Sequence, residues 1–70
     1  MTDFYQELGR CIRTRREECG LNQSQLALEI GVSRPSLTNM ELGKQRIRVL
    51  QFVQIAKVLE VSVEDLLEYI

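Results

Sequence analysis

Within residues 33–44, SRPSLTNMELGK, a guanidinium, two hydroxyls and a carboxamide fall close together at Arg34, Ser36, Thr38 and Asn39. Such compact groups hydrogen-bond well to base edges and to phosphate oxygens. On a helical wheel Leu37 and Met40 point one way, while Pro35, Thr38, Asn39 and Leu42 point the other. A face that meets only water more usually carries Glu and Lys, which add solubility and i,i+4 pairs. This outward face is polar yet almost uncharged, so groove reading stands beside simple solvation as its explanation.

Other chemistries lack their materials. The chain has no histidine, no CxxC and no Ser/His/Asp set, so neither a metal site nor nucleophilic catalysis is expected. We expect no enzyme activity and no cofactor. Cys11 and Cys19 are eight residues apart on one predicted helix, about 12 Å along its axis and beyond disulfide reach. Seventy residues allow one domain, and a chain that short buries only about 60% of its unfolded surface, which favours self-association. No run of about 18 apolar residues is present for a membrane span, and Asp3 and Glu7 stand where a signal peptide needs cations. A soluble, cytoplasmic protein without membrane contact is expected.

The net charge of −1 conceals an uneven distribution. Residues 9–48 hold eight basic and four acidic residues, whereas the two flanks together hold one base and six acids. A basic middle between acidic ends keeps nucleic acid in play as a partner.

Five helical segments must position these groups. Phe4, Leu8, Ile12 and Cys19 recur at helical spacing behind Thr2 as N-cap, with Gly20 as the stop. Arg15 falls on that stripe by angle, so its stem packs or the stripe is displaced. Asn22 caps a second helix with Gln25 at capping-box spacing, Leu26 and Ile30 make its apolar face, and Gly31 ends it. Ser33 caps a third, with Pro35 in the first turn, where a missing N–H costs nothing, and Gly43 beyond its end. Phe52, Val53, Ile55, Ala56 and Leu59 define a fourth, and Ser62 with Asp65 caps a fifth that runs to near Ile70. No strand pattern, repeat or low-complexity segment competes.

The segment IRTRREECGLNQSQLALEIGVSRPSLTNMELGK resembles the DNA-binding domain of the λ/434 repressor and Cro type, the XRE helix-turn-helix family. LQFVQIAKVLEVSVEDLL resembles that family's closing two helices, and the match runs ungapped over roughly residues 8–67. The resemblance implies an all-α, compact five-helix λ-repressor-like domain over residues 1–70, its helix-turn-helix at about 23–42 and its C-terminal helices at about 49–70. Within it Ala27 is the small residue that lets the next helix approach, Gly31 makes the tight turn, and Val32 and Leu37 plug the angle.

Resemblance places base contacts on Arg34, Pro35 and Asn39, with Thr38 added. A guanidinium at Arg34 can bind guanine O6 and N7 together, a phosphate contact being its alternative. Pro35 offers only apolar contact, for instance to a thymine methyl. Phosphate contacts fall to Asn22, Gln23, Ser33 and Ser36 and to the connector residues Lys44, Gln45, Arg46 and Arg48. For Gln23 simple capping is the other reading, and for the connector a solvated loop. The resemblance also implies an Arg16–Glu41 ion pair bracing the reading helix. The chain departs from the family at Leu42, where Asn is frequent, at Ile47 for Pro, at Arg48 for a Ser cap and at Glu60 for Gly.

A sequence-specific transcriptional regulator follows, a repressor or autoregulator that binds double-stranded DNA at a palindromic operator as a homodimer. Leu50, Leu67, Tyr69 and Ile70 are the expected dimer surface, with burial of the same residues inside the monomer as the alternative, more so for Leu67 than for Ile70. The five helices use up the chain, so regulation is expected to follow concentration or a partner such as RNA polymerase or another protein. The competing class is a protein-interaction module, an antitoxin or anti-repressor partner. The acidic residues Glu60, Glu64, Asp65 and Glu68 would then face a basic partner, a solubilising face being their other reading. RNA is less suited, because Phe4, Tyr5, Phe52 and Tyr69 offer no row of exposed stacking platforms.

Overall fold

The computed structural model describes residues 3–67, which form α1 (Phe4–Glu18), α2 (Gln23–Ile30), α3 (Arg34–Glu41), α4 (Val49–Val58) and α5 (Val63–Leu67). The described residues contain no strand. Each helix starts where the local chemistry satisfies its orphan N–H groups. Asp3 caps α1 by accepting the Tyr5 N–H at 2.8 Å, while Thr2 lies outside the described residues. Asn22 and Gln25 close a reciprocal box, each side chain accepting the other's N–H at 2.8 Å. The Ser33 hydroxyl accepts the Ser36 N–H at 3.2 Å, with Pro35 in the first turn of α3. Ser62 and Asp65 make the corresponding exchange at α5. The expected run of α5 to near Ile70 passes outside the described residues beyond Leu67.

At α4 the pattern is incomplete. Gln51 accepts the Arg48 N–H at 3.0 Å, but arginine has no acceptor with which to return the bond. The expected departure at Arg48 thus leaves half a box.

Ile12, Leu26, Leu37, Met40, Ile55, Leu59 and Leu66 are the largest fully buried side chains, and they draw on all five helices or their caps. α3 packs against α1 and α2, α4 against α2 and α5, and α5 against α1. The α1 stripe differs from expectation. Its buried residues are Leu8, Gly9, Cys11, Ile12 and Arg16, while Phe4 is 44% exposed and Cys19 is exposed. Phe4 and Cys19 lie in the first turn and at the C-cap, where coverage by neighbouring helices runs out, and Phe4 meets Tyr5 edge-on instead. The arginine on the stripe is therefore Arg16, and Arg15 is half-buried beside it. Neither cysteine forms a disulfide.

Candidate nucleic-acid interface

α3 is fixed from behind before it presents anything in front. Leu37 and Met40 are fully buried on its inner face. At its C-terminal end the backbone of α1 comes close enough to require glycine. A Cβ on Gly9 would overlap the carbonyl oxygens of Met40 and Glu41, the latter at 2.5 Å. Gly43 is constrained twice, by a left-handed φ of 76° and by the Gln6 Cα, which a Cβ would meet at 2.6 Å.

Glu41 is 6% and Arg16 7% exposed, and the two form a bidentate pair. Arg16 Nε donates to Glu41 Oε2 at 2.7 Å and Nη2 to Oε1 at 3.1 Å, while Nη1 donates to the Leu21 carbonyl at 2.8 Å. Hydrogen bonding to Glu41, joined by its charge, outweighs burial and raises the Arg16 pKa above the ordinary arginine value. The guanidinium therefore stays charged throughout the working pH range.

The pair does not end there. Gln23 Nε2 donates to Glu41 Oε1 at 3.0 Å, and the Thr38 hydroxyl donates to Gln23 Oε1 at 2.8 Å, with the Arg34 carbonyl at 3.0 Å as the alternative acceptor for its one hydrogen. A chain of polar contacts thus links α1, α2 and α3. The resemblance places Gln23 on a phosphate and Thr38 on a base, whereas in the free protein both are half-buried and turned toward each other.

Arg34, Pro35 and Asn39 are exposed on the outer face of α3. The side chains of Arg34 and Asn39 make no hydrogen bond or ion pair with the described residues. They are available for a ligand, and they keep the geometry for bidentate contact to guanine and adenine edges. Together with Gln23, Pro35 and Thr38 they line a shallow concavity. Asn22 and Ser33 spend an oxygen on capping and retain donors. The Ser36 hydroxyl donates to Gln45 Oε1 at 3.1 Å, which ties the connector to α3. Lys44, Arg46 and Arg48 are exposed along that connector.

Leu50 is 68% and Leu67 37% exposed, whereas Tyr69 and Ile70 lie outside the described residues. Glu68, expected in the acidic C-terminal face, also lies outside them.

Three features escaped the sequence reading: the Gln23 bridge, the Ser36–Gln45 tie and the role of Gly9. Only Gly9 left a signal, since glycine inside a helix costs about 0.5–1 kcal/mol relative to alanine and calls for a reason. Among the described residues no cluster of His, Cys, Asp and Glu is placed to hold a metal ion, and no helix is long and apolar enough to cross a membrane.

Comparison with known proteins agrees with this geometry. Residues 12–66 match the family model described as helix-turn-helix. Among curated proteins none matches the chain significantly. The clp gene regulator ClgR from Corynebacterium glutamicum superposes in two structures. One gives a TM-score of 0.92 at 25% identity, covering 99% of this chain and 90% of that one. The other gives 0.94 at 25% identity, covering 97% and 72%. The restriction-modification controller protein C.AhdI from Aeromonas hydrophila superposes with a TM-score of 0.83 at 24% identity, covering 89% and 94%, a likeness of fold.

Proposed function

The chain belongs to the XRE-type helix-turn-helix family of DNA-binding transcriptional regulators, and from that membership we propose that it reads a two-fold-related operator as a homodimer and represses from it. The observation that carries the reading is the two-sided character of α3. Its inner side chains Leu37 and Met40 are fully buried, and its outer side chains Arg34 and Asn39 have no hydrogen-bond or ion-pair partner among the described residues. A helix locked from behind with idle bidentate groups in front is preorganised for the major groove, where Arg pairs with guanine and Asn with adenine. Pro35 and the outer edge of Thr38 complete the base-facing surface. Asn22, Ser33, Ser36 and the cations Lys44, Arg46 and Arg48 flank it on the phosphates.

Val49 and Leu50, 80% and 68% exposed at the start of α4, and Leu67 on α5 supply the apolar surface for the second subunit. The half-sites then lie about 34 Å apart. Repression follows from occupying DNA that polymerase needs, in the cytoplasm.

Selection from random duplexes, followed by sequencing and titration with salt, tests the reading. The wild type should enrich a palindromic motif, and Arg34→Ala/Asn39→Ala should lose the motif while keeping its fold. If no duplex is bound even at low salt, operator reading is wrong. A monomeric mass at micromolar concentration would remove the homodimer.

A further inference from the structure

We infer that Arg13 on α1 binds a backbone phosphate at the rim of the groove that α3 enters, making α1 a third element of the DNA-binding surface; this rests on the duplex-reading function proposed above. The surface between α1 and α3 is concave, and Arg13, Gln23, Arg34, Thr38 and Leu42 line it above the Arg16–Glu41 pair. It shares Gln23, Arg34 and Thr38 with the concavity of the reading face, so the two are continuous. DNA seated on α3 brings its backbone to this edge.

Three observations make Arg13 the phosphate ligand there. Gln23, at the start of α2, is tied to Glu41 and Thr38, which draws its amide away from a phosphate. Leu42 supplies no hydrogen-bonding group. Arg13 is available: its side chain is 59% exposed, and its carboxylate neighbour Glu17 lies 3.7 Å away with similar exposure, too long for a hydrogen bond. An exposed pair of that length is readily exchanged for a charge-assisted bidentate contact to phosphate.

Electrostatics agrees with the geometry. The Glu41 carboxylate is answered by Arg16 at 2.7 Å, so the lining itself holds no carboxylate left for Arg13 or Arg34, and Arg13 has only its loose, exposed pair with Glu17 outside it. Arg10 lines the adjoining concavity with Arg13 and Leu42, and it is paired closely with Glu7. The rim therefore carries cations on the α1 side of α3.

The test is a salt titration of binding to the selected operator duplex and to an unrelated duplex of equal length, for wild type, Arg13→Gln, Arg13→Lys and Lys57→Gln, each checked for helical content. Counterion release predicts that Arg13→Gln lowers the slope of log K against log salt by about 0.9 for each subunit bound. It should weaken binding several-fold on both duplexes, leaving the preference between them intact. Arg13→Lys should keep the slope, and Lys57→Gln, which removes a charge elsewhere, should not change it. An unaltered slope in Arg13→Gln, or equal loss in Arg13→Gln and Lys57→Gln, overturns the assignment while operator reading stands. Absence of duplex binding by the wild type instead overturns operator reading, and this proposal with it.

Discussion

The turns that follow α3 and α4 close in the same way on different residues. After α3 the Lys44 N–H reaches the Asn39 carbonyl at 2.9 Å, and after α4 the Val61 N–H reaches the Ala56 carbonyl at 3.0 Å. Both closures need a left-handed residue, which is Gly43 at φ 76° in the first and Glu60 at φ 56° in the second. The contrast extends to the surroundings. The α3 end is held by the buried Arg16–Glu41 pair and by Gly9 and Gly43, which let it and the α1 backbone approach each other. The α4 helix starts on an uncapped Arg48, exposes Val49 and Leu50, and ends on a strained glutamate. Specific constraint is concentrated where the reading helix is aimed, and local stabilisation is left incomplete in the half proposed to meet a partner.

The largest effect should come from breaking the constrained end. Glu41→Ala leaves the Arg16 charge buried without its partner and frees Gln23, and it should cost about 3–5 kcal/mol, most of the stability of a domain this small. Urea unfolding measures it, and a loss below about 1 kcal/mol would mean that the pair behaves as an ordinary surface ion pair. The double variant Arg16→Met/Glu41→Leu should lose less than either single replacement. Gly9→Ala comes next at about 2–3 kcal/mol, because its methyl group must displace the end of α3 or the axis of α1. It should also weaken operator binding more than its residual unfolding accounts for. Unchanged affinity in the folded fraction would show that α3 tolerates the shift.

These two sites also mark what was legible in the sequence. Three of the helix starts could be read because a cap is local: Asn22 with Gln25, Ser33 with Pro35 and Ser62 with Asp65 each carry their signal within four residues, whereas α1 is capped by Asp3 rather than Thr2. The Arg16–Glu41 contact spans 25 residues, so spacing alone could not find it, and family resemblance did. Gln23 illustrates the limit. Its position at the start of α2 was evident, but the direction of its side chain depends on Glu41 and Thr38, which only the fold brings near. The α1 stripe was misplaced for a related reason, since periodicity gives a helix's inner face but not how far along its length the neighbours reach.

At the less constrained half the expected effects are gains. Glu60→Gly should stabilise the chain by about 1 kcal/mol, because the left-handed backbone costs a non-glycine residue about that much. Thermal unfolding reads it directly. The analogous change at the other turn runs in the opposite direction, since Gly43→Ala must bear both the positive φ and the Gln6 backbone. A neutral result at Glu60 would mean that the unfolded chain gains as much freedom from glycine as the native turn gains in relief.

Arg48→Ser gives the smallest change in stability and tests the comparison most sharply, because the two halves predict opposite signs for two measurements. A serine hydroxyl can accept the Gln51 N–H and complete the box now half made, worth about 0.5–1 kcal/mol to α4. The same change removes a cation from the connector. If Arg48 lies on a phosphate, binding should weaken and the salt slope fall by about 0.9 per subunit bound, even as the melting temperature rises. A variant that melts higher and binds unchanged would identify Arg48 as a poor cap without a DNA role. The opposite outcome, weaker binding from a protein of higher stability, would show that the uncapped start of α4 is retained for the charge it places beside the reading helix.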